Sequence, residues 1–232
     1  MQAYAYLIKA MTNLHVGSGD SGYGAVDKLV QRDPATQYPT IFGQSLKGAL
    51  REYFEESLGL GKADAQLVIP AFGAPVKRPA TVDPSQGELS FLSADLLAIP
   101  IPDEDPNDPN AYDLQGSQDQ LIAFVQKANA FEAGIKEDSL KKLLGCKNWG
   151  NDTFKSAAKQ VPVLARNYLE NGISENLWYE EFVPHQSVFG FLILGSDDTL
   201  LKAFDGKINN KIIQVGANAT VGYGYCSFTK IP

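Results

Sequence analysis

The chain has 232 residues, 44% of them hydrophobic and 20% charged, which is enough apolar material for one large domain or two tightly merged ones. Two cysteines without a CxxC pair and two histidines, His15 and His185, argue against a Cys/His zinc site, and no apolar run reaches the length of a membrane span. The net charge of −7 argues against phosphate binding over the whole surface, while the start MQAYAYLIKA lacks a signal peptide's apolar core, so the cytoplasm is expected and a disulfide is not.

Residues 3–16 read as a first strand, with Tyr4, Tyr6 and Ile8 alternating against Ala3, Ala5 and Leu7. It delivers His15 to the edge of a glycine-rich loop. That loop, GSGDSGYG, places Gly17, Gly19, Gly22 and Gly24 within eight residues, a density that suits close approach of backbone to a ligand. Its GxGxxG string imitates a dinucleotide or kinase fingerprint. The following AVDKLVQRD is extended rather than helical, however, and no VAIK, HRD or DFG set accompanies it. Asp27 lies just beyond the loop, ahead of the turn formed by Asp33, Pro34, Ala35 and Thr36.

Leu46, Ala49, Leu50, Tyr53, Phe54 and Leu58 then follow helical spacing, with Ser45 expected as the N-cap. Lys47 and Arg51 stand one turn apart on the other face, and two cations beside unpaired N–H groups at the positive end of a helix favour phosphate. Each feature also has an ordinary explanation: a surface loop, a turn aspartate, Arg51 paired with Glu55 on a solvated face. Their order along one stretch is what points to a site.

Farther on, residues 63–72 continue as helix or turn, 73–84 are irregular, and 88–101 form a buried strand with a bulge or turn at Ala94, Asp95 and Leu96. The segment PDEDPNDPNAYDLQG, residues 102–116, is acidic and reads as a solvated loop. Its calcium-like spacing fails, because Asp108 replaces the required glycine and Leu114 the bidentate glutamate. Residues 117–131 and 136–144 read as helices. Residues 161–167 and 177–183 are extended around the turn-rich YLENGISEN, which marks a hairpin. Glu180 and Glu181 are adjacent, so at most one of them faces a site, and Glu180 is favoured. Residues 187–194 form a strongly apolar strand, 197–204 a short helix and 212–215 another strand. The second glycine-rich loop GANATVGYG and a last strand over 225–231 close the chain. This order predicts an α+β fold with helices layered on an antiparallel sheet.

The stretch GSG..GYGAVDKLVQRD...YPTIFGQSLKGALR resembles the N-terminal signature of the RAMP superfamily, in particular the repeated backbone subunit of type III-B (Cmr-type) CRISPR effector complexes. GELSFLSADLLAIPIP, VPVLARN, NLWYEEFVP and GANATVGYGYC follow in the family's order. Leu29 and Phe42 depart from common prolines, Gln44 from a serine, and the chain is short for the family.

The resemblance implies one RAMP domain over residues 1–232, a ferredoxin-like, RRM-type palm with helical insertions at about 60–85 and 102–160 and a thumb β-hairpin at about 165–184. It implies guide RNA, complementary target RNA, further copies in a helical filament and other subunits of the complex as partners, with no membrane. Asp27 matches the family's aspartate and is expected as the catalytic carboxylate or as the ligand of Mg²⁺ or another divalent cation, since an ordinary aspartate, with a pKa of about 3.9, is a weak base at neutral pH. His15 is a candidate proton donor and Glu180 a candidate second carboxylate. The expected RNA contacts are Gly17, Ser18, Gly19, Lys28, Arg32, Ser45, Lys47, Arg51, Arg166, Asn218, Thr220 and Gly222. The rival functions are a non-catalytic RNA-holding relative, a guide-RNA-processing endoribonuclease and, on the GxGxxG string alone, a small-molecule enzyme.

Overall fold

The computed structural model describes all residues except 22–24, 61–63, 65, 75–85 and 104–110. Two of the four glycines of the first glycine loop (Gly22, Gly24) and residues 104–110 of the acidic segment therefore lie outside the described residues. Six elements make the frame: β1 (Gln2–Ala10), α1 (Gly43–Glu52), a strand at Ala94–Pro102, a strand at Val188–Gly195, a helix at Asp198–Ile208 and a strand at Tyr225–Lys230. Numbered in chain order, β2 is Gly17–Ser21, β3 Lys28–Val30, β4 Thr40–Ile41 and β5 Ser90–Phe91, which makes Ala94–Pro102 β6. Next come β7 (Tyr112–Gly116), β8 (Val163–Glu170), β9 (Ile173–Glu181), β10 (Val188–Gly195), β11 (Lys211–Gln214) and β12 (Tyr225–Lys230). The helices are α1, α2 (Val68–Phe72), α3 (Gln118–Ala130), α4 (Glu137–Leu144), α5 (Asn151–Lys159) and α6 (Asp198–Ile208).

In the main sheet the strands run β11-β12-β1-β10-β6-β4, with β5 added to β10 and β7 to β6. Taken alone, β1, α1, β6, β10, α6 and β12 form a βαββαβ unit with antiparallel strand order 4-1-3-2, the expected ferredoxin-like palm. Strand β10 is buried along its whole length, because the sheet is covered on both sides. On one face Tyr6, Ile8, Phe189 and Ile193 pack with Leu46, Leu50, Phe54, Phe72 and Phe204 of the α1, α2 and α6 layer. On the other, Ala5, Leu7, Leu192 and Leu194 pack with Leu121, Phe124, Leu140 and Leu144 of α3 and α4. Gly190 makes room for the Phe124 ring, which would lie 2.6 Å from a Cβ at that position.

This double covering bears on function. An RRM reads RNA with aromatics on an open sheet face, and here α3 and α4 occupy it. The face that an RRM uses is therefore closed in this chain.

Several local expectations are corrected. The first strand stops at Ala10, and Gly17, Ser18 and Gly19 belong to β2 rather than to a free loop. Phe42, not Ser45, occupies the N-cap of α1, with no side-chain cap, and a π-helical turn at Tyr53–Ser57 follows the helix. Residues Ala94, Asp95 and Leu96 open β6, where Asp95 pairs with Thr40 instead of turning, and the pairing with β10 slips by one residue directly after them, between Leu96 and Ala98. Residues 112–116 of the supposed loop form β7 against β6. Helix α5 was not foreseen. None of the described helices is long and apolar enough to cross a membrane.

The start of α1 is tightly constrained. A Cβ on Gly43 would sit 2.1 Å from the Phe91 carbonyl oxygen, which is backbone of β5 and cannot swing away. Gly48, five residues on in the same helix, has open space at that position. Gly43→Ala is therefore expected to lose about 1–3 kcal/mol by overpacking, whereas Gly48→Ala gains about 0.5–1 kcal/mol from lower chain entropy. Parallel urea titrations of the two variants check this; equal midpoints would contradict the close approach.

Candidate functional site

A second, four-stranded sheet in the order β2-β3-β9-β8 projects from the palm and carries the chemistry. Its outer half is the β8–β9 hairpin, closed by Asn171 and Gly172, both at positive φ. Two successive positive φ values match the I′ turn that suits strand twist, which is why Asn-Gly joins two long strands where a turn-rich insert was expected. Both faces of the hairpin meet solvent, leaving Tyr168, Ile173, Leu177 and Tyr179 exposed.

Strand β3 lies parallel to β9, with Lys28 opposite Glu180. One residue earlier, Asp27 is held to β9 by two hydrogen bonds. Its main-chain N–H donates to the Tyr179 carbonyl at 3.0 Å, and the Tyr179 N–H donates to the Asp27 carboxylate at 2.8 Å. The aspartate is exposed at the root of the hairpin. Lys28, beside it, lies 5.0 Å from the centre of the Trp178 ring.

Behind this edge lies a buried polar cluster. Glu180 is 1% exposed, so the structure turns inward the carboxylate that was expected to face the site. It accepts a hydrogen bond from the Asn218 side-chain amide, has the Arg166 Nε at 3.2 Å and the Trp178 indole N–H at 3.5 Å, and lies 3.4 Å from His15 Nδ1. His15 is buried as well, and its Nδ1 is 2.7 Å from the Glu181 carbonyl oxygen. A carbonyl can only accept, so Nδ1 carries the proton and Nε2 lies toward Gly17. Arg166 also stacks on Tyr223, with 4.7 Å from its guanidinium carbon to the ring centre. The cluster joins the segment between β1 and β2, the hairpin root and the closing glycine loop.

The parity argument holds for the neighbouring carboxylate. Glu181 points the other way, accepting from the Val30 N–H at 3.1 Å and pairing with Arg32 at 3.1 Å. Arg32 donates further to the carbonyls of Gln37 and Ala158, so this expected phosphate contact is spent within the protein. Arg51 is likewise paired with Glu55 at 2.6 Å. Of the first N–H groups of α1, Gly43 donates to Ser93, and Ser45 and Leu46 to the Phe42 carbonyl, which weakens the case for a phosphate there. Lys47 is half-buried, and Thr220 and Gly222 lie exposed in and beside a short 3₁₀ turn (Ala219–Val221). Asn218 is drawn inward to Glu180.

One residue that carries the geometry left no trace in the sequence. Gln31, buried, donates from its amide to the Gly17 carbonyl at 3.1 Å and to the Ser45 hydroxyl at 2.9 Å, and accepts from the Phe42 N–H at 2.7 Å. It ties β2 to the start of α1, which is how Ser45 reaches the site's neighbourhood. Only a parity count, placing Gln31 on the same side as Leu29, offered a signal, and that count does not reveal partners 14 residues away.

No group of three or more His, Cys, Asp or Glu side chains able to hold a metal occurs among the described residues. Asp27 offers one carboxylate, which suits only a cation that takes most of its ligands from water and substrate phosphate. Burial pushes both thiols, Cys146 and Cys226, up to about 12, so neither is a thiolate nucleophile at neutral pH.

The comparisons with known proteins agree with this layout. The model of the RAMP superfamily matches residues 7–227. The chain is 26% identical, over 99% of its length and 96% of the relative's, to the CRISPR system Cmr endoribonuclease Cmr4 of Pyrococcus furiosus. Among solved structures, it superposes on a chain of the type III-B Cmr-beta complex bound to cognate target RNA with a TM-score of 0.75 at 19% identity, covering 100% of this chain and 98% of that one. Oligomeric Cmr4 from Pyrococcus furiosus gives 0.67 at 21% identity, covering 99% and 98%.

Proposed function

The chain belongs to the RAMP superfamily, and from that membership we propose that it is the repeated backbone subunit of a type III CRISPR ribonucleoprotein, which holds guide RNA and cuts complementary target RNA. The observation that carries the reading is Asp27, an exposed carboxylate fixed to the main chain of Tyr179 at the root of a projecting hairpin. The near-full-length likeness to an endoribonuclease supports the activity, and the likeness to a chain from a complex bound to target RNA and to an oligomeric relative supports the partners. Copies that meet head to tail do not close, so they extend as a filament along the guide.

The hairpin projects where a regular duplex would have to part, and an interrupted duplex lets one nucleotide splay out. In that geometry the 2′-oxygen lines up with the adjacent phosphorus, which an A-form helix prevents. The 2′-oxygen attacks phosphorus, the bond from phosphorus to the 5′-oxygen breaks, and the leaving oxygen takes up a proton. Alignment supplies most of the acceleration. Asp27 orients the 2′-hydroxyl and draws its proton, and Lys28 places positive charge beside the phosphate. A divalent cation, held by the Asp27 carboxylate together with RNA oxygens, would supply charge stabilisation there. His15 and Glu180 act from behind, fixing β9 and with it the Tyr179 amide. Because the proton of His15 sits on Nδ1 and is held by a carbonyl, Nε2 of the neutral ring has none to give, and the proton for the leaving group comes from water.

The test is a target RNA with a single 2′-deoxy nucleotide at one cut position, added to the complex assembled with its guide. Cutting should vanish at that position alone, and elsewhere the products should end in a 2′,3′-cyclic phosphate. Undiminished cutting at the deoxy position would show that water, not the 2′-oxygen, attacks. Binding without any cutting would leave the non-catalytic scaffold.

A further inference from the structure

One exposed ring on the hairpin belongs to the residue that holds the proposed catalytic carboxylate. Tyr179 gives its N–H and its carbonyl to Asp27, and its own side chain is 43% exposed. Parity explains the outward direction. Glu180, next in the strand, is buried, so Tyr179 emerges on the opposite face with Leu177, which is 55% exposed. Directly across the strand pair stands Ala165, too small to cover the ring. Tyr168 is more exposed, at 57%, but sits opposite Asn176, nearer the tip and on the other face. Tyr179 thus presents a partly exposed aromatic surface anchored one hydrogen bond from Asp27. Aromatic rings take up unpaired nucleobases by stacking, and any base satisfies them.

We propose that the Tyr179 ring stacks on the base of the nucleotide being cut. The inference rests on the endoribonuclease reading above. One residue then positions both reactants: its side chain holds the splayed nucleotide, and its amide holds the carboxylate that acts on it. Stacking ignores base identity, so it fixes position without competing with the sequence choice that guide pairing makes. Tyr179 touches substrate in this scheme, whereas Glu180 and His15 act only through it.

The experiment is a double-mutant cycle between protein and RNA in the assembled complex, read as the single-turnover rate at one cut position. Tyr179→Ala alone, or an abasic nucleotide at that position alone, should slow cutting about tenfold, the usual loss of one base–aromatic stack. The two together should be no slower than either, Tyr179→Phe should cut at the wild-type rate, and target binding should be unchanged. Multiplying losses, or wild-type cutting by Tyr179→Ala, would overturn the proposal. If wild type binds target but cuts nothing, the endoribonuclease reading falls, and 2-aminopurine at the same position still decides the stacking. Its fluorescence should be dimmer in the wild-type complex than with Tyr179→Ala, and equal fluorescence would refute the contact.

Discussion

Asp27→Ala is expected to slow target cutting by about 10²–10⁴-fold, the range for losing one positioned acid–base or charge-stabilising group, with guide and target binding retained. The retention follows from the structure. Alanine keeps the main-chain bond from residue 27 to the Tyr179 carbonyl and loses only the carboxylate's bond to the Tyr179 N–H, a loss of about 1 kcal/mol. The variant should therefore fold and assemble. Asp27→Asn sharpens the point, because an amide oxygen can still accept from the Tyr179 N–H but carries no charge. Should the asparagine variant cut normally, the carboxylate's part is merely structural. Quenched time courses on an end-labelled target, with binding measured by gel shift, give both quantities.

Glu180→Ala is expected to act on the other side of the strand and chiefly on stability. The carboxylate is buried among Asn218, Arg166, Trp178 and His15, and removing it leaves the Arg166 guanidinium without its counter-charge, while His15 keeps the Glu181 carbonyl. Breaking a buried pair by deleting one partner costs about 3–5 kcal/mol, a large share of the roughly 5–15 kcal/mol that holds a domain together. For a chain of this size that corresponds to a fall in melting temperature of roughly 10 °C. Glu180→Gln should recover part of it, since the amide oxygen still accepts from Asn218 while Arg166 stays without a counter-charge. Calorimetry decides: a fall of less than about 2 °C for Glu180→Ala would mean that the cluster contributes little.

How far the sequence carried the fold varies by element. Alternation along β1 and the unbroken apolar run of β10 were plain, because a strand covered on one or both faces leaves those signatures. Helix α5 was invisible. In NDTFKSAAK the core face is Phe154, Ala157 and Ala158, one large side chain and two small ones, a weak signal for a helical period. The length of β8 and β9 was underread for the opposite reason: a hairpin with both faces in solvent has no alternation to show, and only Asn171-Gly172 betrayed its turn.

At the site, the neighbourhood of Asp27 and the opposite facing of Glu180 and Glu181 were legible from motif and parity. Which of the two glutamates lies buried was not, because it depends on partners from residues 15, 166 and 218 that only the fold assembles. The same holds for Arg32, whose charge is spent on Glu181, whereas the Arg51–Glu55 pair was legible from its spacing of one helical turn. Each of these pairs takes up one cation and one carboxylate, so the net charge of −7 is unchanged and an RNA partner has to be met by local positive charge. Under the proposed function, that leaves the backbone-rich edge, Lys28 and Lys47 to meet RNA.

The most direct test of the account is the product pattern from a long, end-labelled complementary RNA incubated with the assembled complex and Mg²⁺. A backbone of identical copies, each with its own Asp27, predicts a ladder of products at one constant spacing, absent with Asp27→Ala at equal binding. A single product, or a ladder that survives in the Asp27→Ala complex, would contradict it.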